Sequence, residues 1–285
     1  MCHQTAAVWK DCHCQYDCRL FSKANDTTEL FSHCAIAEEE DYGHYQNQYP
    51  VIHISFHELP KRCDSYEDYI SRIEERLTRN LRQEYPMMEI EEDEAVWDIL
   101  TDIYGRDERA KFVFVLDEWD FLFHQDFAGE QDKKAYLMFL RNLLKDRPYV
   151  RLAYITGILP IAKYSSGSEL NMFVEYTMIT EERFSDTFGF TEKEVDMLYK
   201  RYRRNTEHAR VSREGVKQWY NGYHTFSGEL HTILVPLSVR CGIIIWEIIG
   251  HRQGLMMKFI IIFRRIRLRS EMIVVRIVGA KPQSQ

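Results

Sequence analysis

Residues 112–120 read Phe-Val-Phe-Val-Leu-Asp-Glu-Trp-Asp, five consecutive apolar residues that stop abruptly at a group of acids. A run of this length with no polar alternation is the pattern of a strand buried on both faces, as in a parallel sheet covered by helices. Two other short runs rich in β-branched residues, Val51–Phe56 and Leu152–Thr156, read the same way. Between the first and second runs lie two helical patterns. One is capped by Asp64 or Ser65, places Tyr69, Ile73, Leu77 and Leu81 on one face and ends near Pro86; the other spans Glu94–Tyr104 and is closed by Gly105. Between the second and third runs, Ala135–Lys145 aligns Tyr136, Phe139, Leu140, Leu143 and Leu144 on one stripe. Strands separated by helices need crossover connections, so the expected class is α/β with a mainly parallel sheet. After Pro160 the pattern changes to helices over Glu192–Tyr202 and Ser212–Tyr220 with no further strand evident, which predicts a small helical lid.

In a parallel sheet ligands collect at the carboxyl ends of the strands, which is where Asp117, Glu118 and Asp120 fall. An apolar strand running into Asp-Glu is the Walker B pattern of nucleotidases, in which the Asp holds Mg²⁺ through a water and the Glu polarises the attacking water. The plain alternative is a strand ending in solvated acids. Thr156, at the end of the next strand and followed by Gly157, is placed to sense a phosphate through its hydroxyl. His53 and His57 lie across a strand end rather than one helical turn apart, which favours a solvated pair over a metal site. No G-x-S-x-G is present, so Ser165–Ser168 reads as a loop rather than a nucleophile, and Lys163 and Arg183 are the cations that could reach phosphates from the lid.

Composition bounds the classes further. The 285 residues are 45% hydrophobic and 28% charged, enough for a real core, and their apolar runs are far shorter than the roughly 20 residues that span a bilayer. The start of the chain lacks the pattern of a secretory signal, and seven cysteines, four of them within the first 18 positions, do not form a disulfide framework. An intracellular, cytoplasmic setting without membrane association is expected. Residues 232–285 carry nine Lys/Arg and two acids, whereas the other 231 carry 28 bases and 42 acids. Such asymmetry often marks a nucleic-acid-seeking tail, but Arg264, Arg265, Arg267 and Arg269 do not separate from the isoleucines at helical spacing, so neither nucleic acid nor a membrane surface is expected as a partner. Cys12, Cys14 and Cys18 with His3 and His13 lack the paired C-x₂-C spacing of structural zinc sites.

Several segments, in order, resemble the AAA-ATPase-like family: Phe112–Phe123, Tyr136–Ile179, Asp186–Val195 and Gln218–Tyr223. Members of that family often carry a PD-(D/E)XK-type nuclease domain further on, although no complete nuclease site occurs in this chain. The resemblance covers about Phe21–His231 and implies a P-loop NTPase-like domain over 21–160 with a helical lid over 161–231. It implies ATP and Mg²⁺ as cofactors, with Asp117 and Glu118 as the Walker B pair and Thr156 as first sensor. Trp219–Tyr223 corresponds to the family's WYDGY, with Asn221 in place of Asp.

The departure is upstream. A phosphate cradle needs a Gly-rich turn followed by Lys-Ser/Thr at the start of a helix. The first glycine is Gly43, and the lysines before it, Lys10 and Lys23, are not preceded by Gly. The first strand and Walker A are thus missing from the expected fold, leaving unpaired backbone in the sheet. Codons that encode Cys2–Leu20 can, read from the second base, give VTRPRRFGKTVTANMIAA, and Trp9-Lys10 forces a glycine in that frame. Parts of 232–285 behave alike: Leu255–Ile262, read from the third base of its codons, can give YDEIYYY. Residues 1–20 and 232–285 are therefore expected to be out-of-frame text, the latter unstructured or prone to aggregate, and the chain an ATPase-family remnant that binds nucleotide poorly. The alternative is a non-enzymatic interaction module with a protein partner.

Overall fold

The computed structural model describes residues 18–24, 26–32, 35–91, 93–157, 159–164, 170–177, 190–205, 212–220, 223–224, 230–232 and 272–276. Its centre is a sheet of three parallel strands in chain order, β1 (Val51–Ser55), β2 (Phe112–Asp117) and β3 (Val150–Gly157). The six residues of β2 are all buried, which explains the unbroken apolar run: this strand has a neighbour on each edge and packing on each face. In β1, Ile52 and Ile54 are buried while His53 is exposed, the alternation of a strand with one covered face.

Three helices provide the covering layers. Helix α1 (Tyr66–Glu84) is capped by Ser65, whose Oγ accepts from the Asp68 N–H at 3.1 Å, and it buries Tyr69, Ile73, Leu77 and Leu81. Helix α2 (Val96–Arg106) buries Val96, Ile99, Leu100 and Ile103. Gly105, expected to close this helix, lies inside its last turn, where an exposed glycine is tolerated at modest cost. Helix α3 (Glu130–Leu144) buries the whole expected stripe from Tyr136 to Leu144. It starts five residues before the expected point because its first turn, Glu130–Lys133, is polar and adds nothing to the apolar stripe, with Asp132 accepting from the Gly129 N–H at 2.8 Å.

The region after Pro160 differs from a purely helical lid. Helices α4 (Glu192–Asn205) and α5 (Arg213–Tyr220) are present, but so are β4 (Phe173–Thr177) and a small antiparallel sheet of β5 (Phe190–Thr191), β7 (Leu230–Thr232) and β6 (Tyr223–His224). Strand β4 escaped the sequence reading because Val174 is exposed and Glu175 interrupts its apolar residues. The interior gap expected from a missing strand is also filled. Strand β8 (Met272–Arg276) runs parallel to both β3 and β4 and lies between them, giving the order β1-β2-β3-β8-β4. Residues 1–17, Ser165–Ser168, Arg183, Asn221 and, in the tail, 233–271 and 277–285 lie outside the described residues, as do the side chains of Lys163 and Trp219. Among the described residues no helix is long and apolar enough to cross a membrane, and Cys63 is a free thiol.

Two glycines separate by their surroundings. A Cβ at Gly157 would stand 2.3 Å from the fully buried Trp119 ring and 2.8 Å from Asp120 Oδ1, whereas one at Gly105 meets nothing within 4 Å. Gly157→Ala is expected to destabilise the fold by about 1–3 kcal/mol through overpacking. Gly105→Ala is expected to stabilise it by about 0.5–1 kcal/mol through helix propensity. Thermal unfolding followed by circular dichroism reads both signs.

Candidate functional site

The carboxyl ends of β1, β2 and β3 lie side by side, because Ser55 pairs in register with Asp117, and Leu116 with Ile155. This brings together Asp117, Glu118 and Thr156. The Thr156 hydroxyl donates a short hydrogen bond to Asp117 Oδ1, and its oxygen accepts from the Glu118 N–H at 3.2 Å. The next peptide closes the turn, with Trp119 N–H donating to the Thr156 carbonyl at 3.0 Å. Glu118 is held at φ 54°, a left-handed conformation that costs a residue with a Cβ about 1 kcal/mol. Strain of this kind persists where the surroundings over-determine it, and it clusters at functional sites.

Asp117 is 5% exposed, and its Oδ2 is buried without a hydrogen-bond partner. Burial pushes this carboxyl above its ordinary pKa and Glu118 adds to the rise, while the Thr156 hydroxyl and the nearby His53 and His57 act in the opposite direction. A buried carboxylate oxygen with an open coordination position suits a hydrated divalent cation, which Mg²⁺ binds through one or two carboxylates and several waters. Among the described residues no group of three or more His, Cys, Asp and Glu could hold a metal ion. Any cation at Asp117 would therefore take its remaining ligands from water and substrate.

His57, two residues beyond β1, has Nδ1 2.8 Å from Ser55 Oγ and 3.3 Å from Glu118 Oε2. One ring nitrogen faces both groups, whereas a Ser-His-acid triad uses opposite nitrogens, so this is not a nucleophile with its relay. His57 Nδ1 instead bridges the Ser55 hydroxyl and the Glu118 carboxylate at the β1–β2 end. The sequence reading set His57 beside His53; its contact with Glu118 spans 61 residues and leaves no local signal.

Two buried tyrosines and one buried acid shape the loops. Tyr69 of α1 donates to the Phe56 carbonyl at 2.8 Å, and Tyr136 of α3 donates to the Trp119 carbonyl at 2.7 Å. Asp120, 3% exposed, accepts from the Leu159 N–H at 2.8 Å and so ties the β2 turn to the segment after β3. Asp120 thus has a structural partner that its place among apparently solvated acids did not indicate.

These features define an α/β protein whose parallel strands carry a buried Asp, a Glu and a Thr at one end. The family model described as Predicted AAA-ATPase matches residues 15–166, and the chain belongs to that family. No curated protein and no solved structure matches the chain.

Asp117 also sets a pH dependence. Its folded pKa is raised, so the folded state holds a proton that the unfolded chain releases at lower pH; the resulting stability is complete below the ordinary carboxylate value of 3.8 and is lost as pH rises through the folded value. Asp117→Asn keeps an acceptor for Thr156 without the buried charge. It is expected to raise the unfolding midpoint at pH 7, with the gain shrinking as pH falls toward 4 in melts recorded across that range.

Proposed function

We propose that this chain is an ATPase-family domain that retains the water-activating half of a nucleotide site without a phosphate cradle. The observation that carries this reading is the Asp117–Thr156–Glu118 junction at the carboxyl end of the parallel sheet, with the Asp117 Oδ2 left open. Asp117 would hold Mg²⁺ through a coordinated water, and the cation would neutralise phosphate charge. Glu118, kept in place by its strained backbone and by His57, is oriented to polarise a water. Thr156 ties the Asp117 carboxylate and the Glu118 main chain to one strand end, its hydroxyl proton held by Asp117. No G-x-x-x-x-G-K-S/T occurs in the 285 residues, so the triphosphate lacks the backbone N–H groups and lysine that supply most of its binding. A domain with this half-site is expected to hold Mg-ATP poorly and not to turn it over.

We further propose that residues 1–20 and 232–285 are encoded out of frame, on the ground that Cys2–Leu20 can be read in the next frame as RRFGKT-containing text. Sequencing the genomic and messenger DNA across those codons decides the point: absence of family text in the shifted frames contradicts it.

Titration with a fluorescent ATP analogue and Mg²⁺ tests the function. The chain as it stands is expected to show no saturation up to about 1 mM, a binding free energy weaker than about −4 kcal/mol. Replacing Cys2–Leu20 with VTRPRRFGKTVTANMIAA is expected to create saturable binding, and Glu118→Gln in that background to stop hydrolysis while leaving binding. Micromolar affinity in the unmodified chain contradicts the reading.

A further inference from the structure

The place of β8 is the least expected feature of the sheet. Met272–Arg276 pairs in parallel over five residues with β3 on one side, from Ala153↔Met272 to Gly157↔Arg276, and over five with β4 on the other, from Phe173↔Met272 to Thr177↔Arg276. Among the described residues, β4 is hydrogen-bonded to the sheet through β8 alone. Strands in a sheet are spaced about 4.8 Å apart, so without β8 the facing edges of β3 and β4 stand about 10 Å apart, too far to pair with each other. Both edges would then present unsatisfied N–H and C=O groups in the interior of the sheet, which is costly.

We infer that the gap between β3 and β4 is a strand-binding groove whose occupant is the chain's own carboxyl-terminal segment Met272–Arg276. The groove has two demands, and the segment meets both. A strand covered on both edges must offer every backbone group to a ladder, so it can contain no proline; an interior strand of a parallel sheet is apolar at successive positions. Met272-Ile273-Val274-Val275 is such a run, three of its four residues are β-branched, and Arg276 ends it. These are requirements of pattern rather than of ancestry, so the inference holds for the chain as its sequence reads, whatever the origin of its tail, and is independent of the nucleotide reading. The Ile/Val-rich tail, expected to be unstructured, thereby becomes part of the sheet.

The sheet order leaves one strand position between β3 and β4 to be filled from later in the sequence, as crossover connections in parallel sheets commonly do. The carboxyl end of β8 then lies at the same end of the sheet as Thr156, through the register of Thr156 with Val275.

Amide hydrogen exchange resolved by residue tests the inference on the full chain. Val274→Pro deletes a ladder donor in the middle of β8, and Ile261→Pro changes the tail outside it. Val274→Pro is expected to speed exchange of the β4 amides Val174–Tyr176 at least about tenfold, and Ile261→Pro to leave them unchanged. Unchanged β4 exchange in Val274→Pro, or equal release by Ile261→Pro, overturns the inference. A second measurement does not depend on a destabilised variant. Glu175 and Val274 are register partners, so Glu175→Cys with Val274→Cys stands within disulfide reach. Peptide mapping by mass spectrometry is expected to find a 175–274 disulfide within one molecule; its absence, or its occurrence only between two molecules, overturns the assignment of the strand to its own chain.

Discussion

The hydrogen bond from the Thr156 hydroxyl to the buried Asp117 carboxylate is the junction on which the functional end of this molecule depends. It joins the last residue of one interior strand to the penultimate residue of the next. Several other contacts follow from it. The same hydroxyl oxygen receives the Glu118 N–H, the Thr156 carbonyl receives the Trp119 N–H, and the chain then turns so that Trp119 lies against Gly157, where no side chain larger than hydrogen fits. Tyr136 secures the Trp119 carbonyl from the helix behind, and Phe123 packs edge-on against both rings. Thr156 thus fixes the direction of the loop that carries Glu118 as well as the position of one carboxylate.

The arrangement works against stability. A carboxylate in a buried position with one oxygen unpartnered is costly, and a left-handed glutamate adds backbone strain. The surrounding core offsets both: β2 is buried throughout, and the helices α1, α2 and α3 each lay an apolar face on the sheet. The hydroxyls of Tyr69, Tyr136 and Tyr149 are by contrast paired with main-chain carbonyls. Both costs fall at the carboxyl end of the parallel strands, where ligands bind in open α/β folds.

The elements legible in the sequence were those specified by local pattern. The three runs became β1, β2 and β3: β2 is buried at every position, β3 through its four central residues and β1 at Ile52 and Ile54, and Ser65 announced α1 through a cap made within three residues. What the sequence did not disclose depends on contacts between distant segments. Strand β4 carries an exposed Val174, β8 enters the sheet from more than 100 residues after β3, and His57 meets a glutamate 61 positions away. Asp117, Glu118 and Thr156 could be named because each ends a readable strand. Asp120 was named with them but faces inward to the Leu159 N–H, a distinction that no spacing in its own segment encodes.

The most direct test of the account is the titration of Asp117 itself, followed through the carbon resonance of its side-chain carboxyl in selectively labelled protein. A buried, half-paired carboxylate must take up its proton above the ordinary aspartate value of 3.8, and replacing Thr156 by Val must raise its pKa further, since the hydroxyl bond opposes the rise. A midpoint at or below 3.8, unchanged by loss of the threonine hydroxyl, would contradict the picture of a buried carboxylate poised at the end of β2.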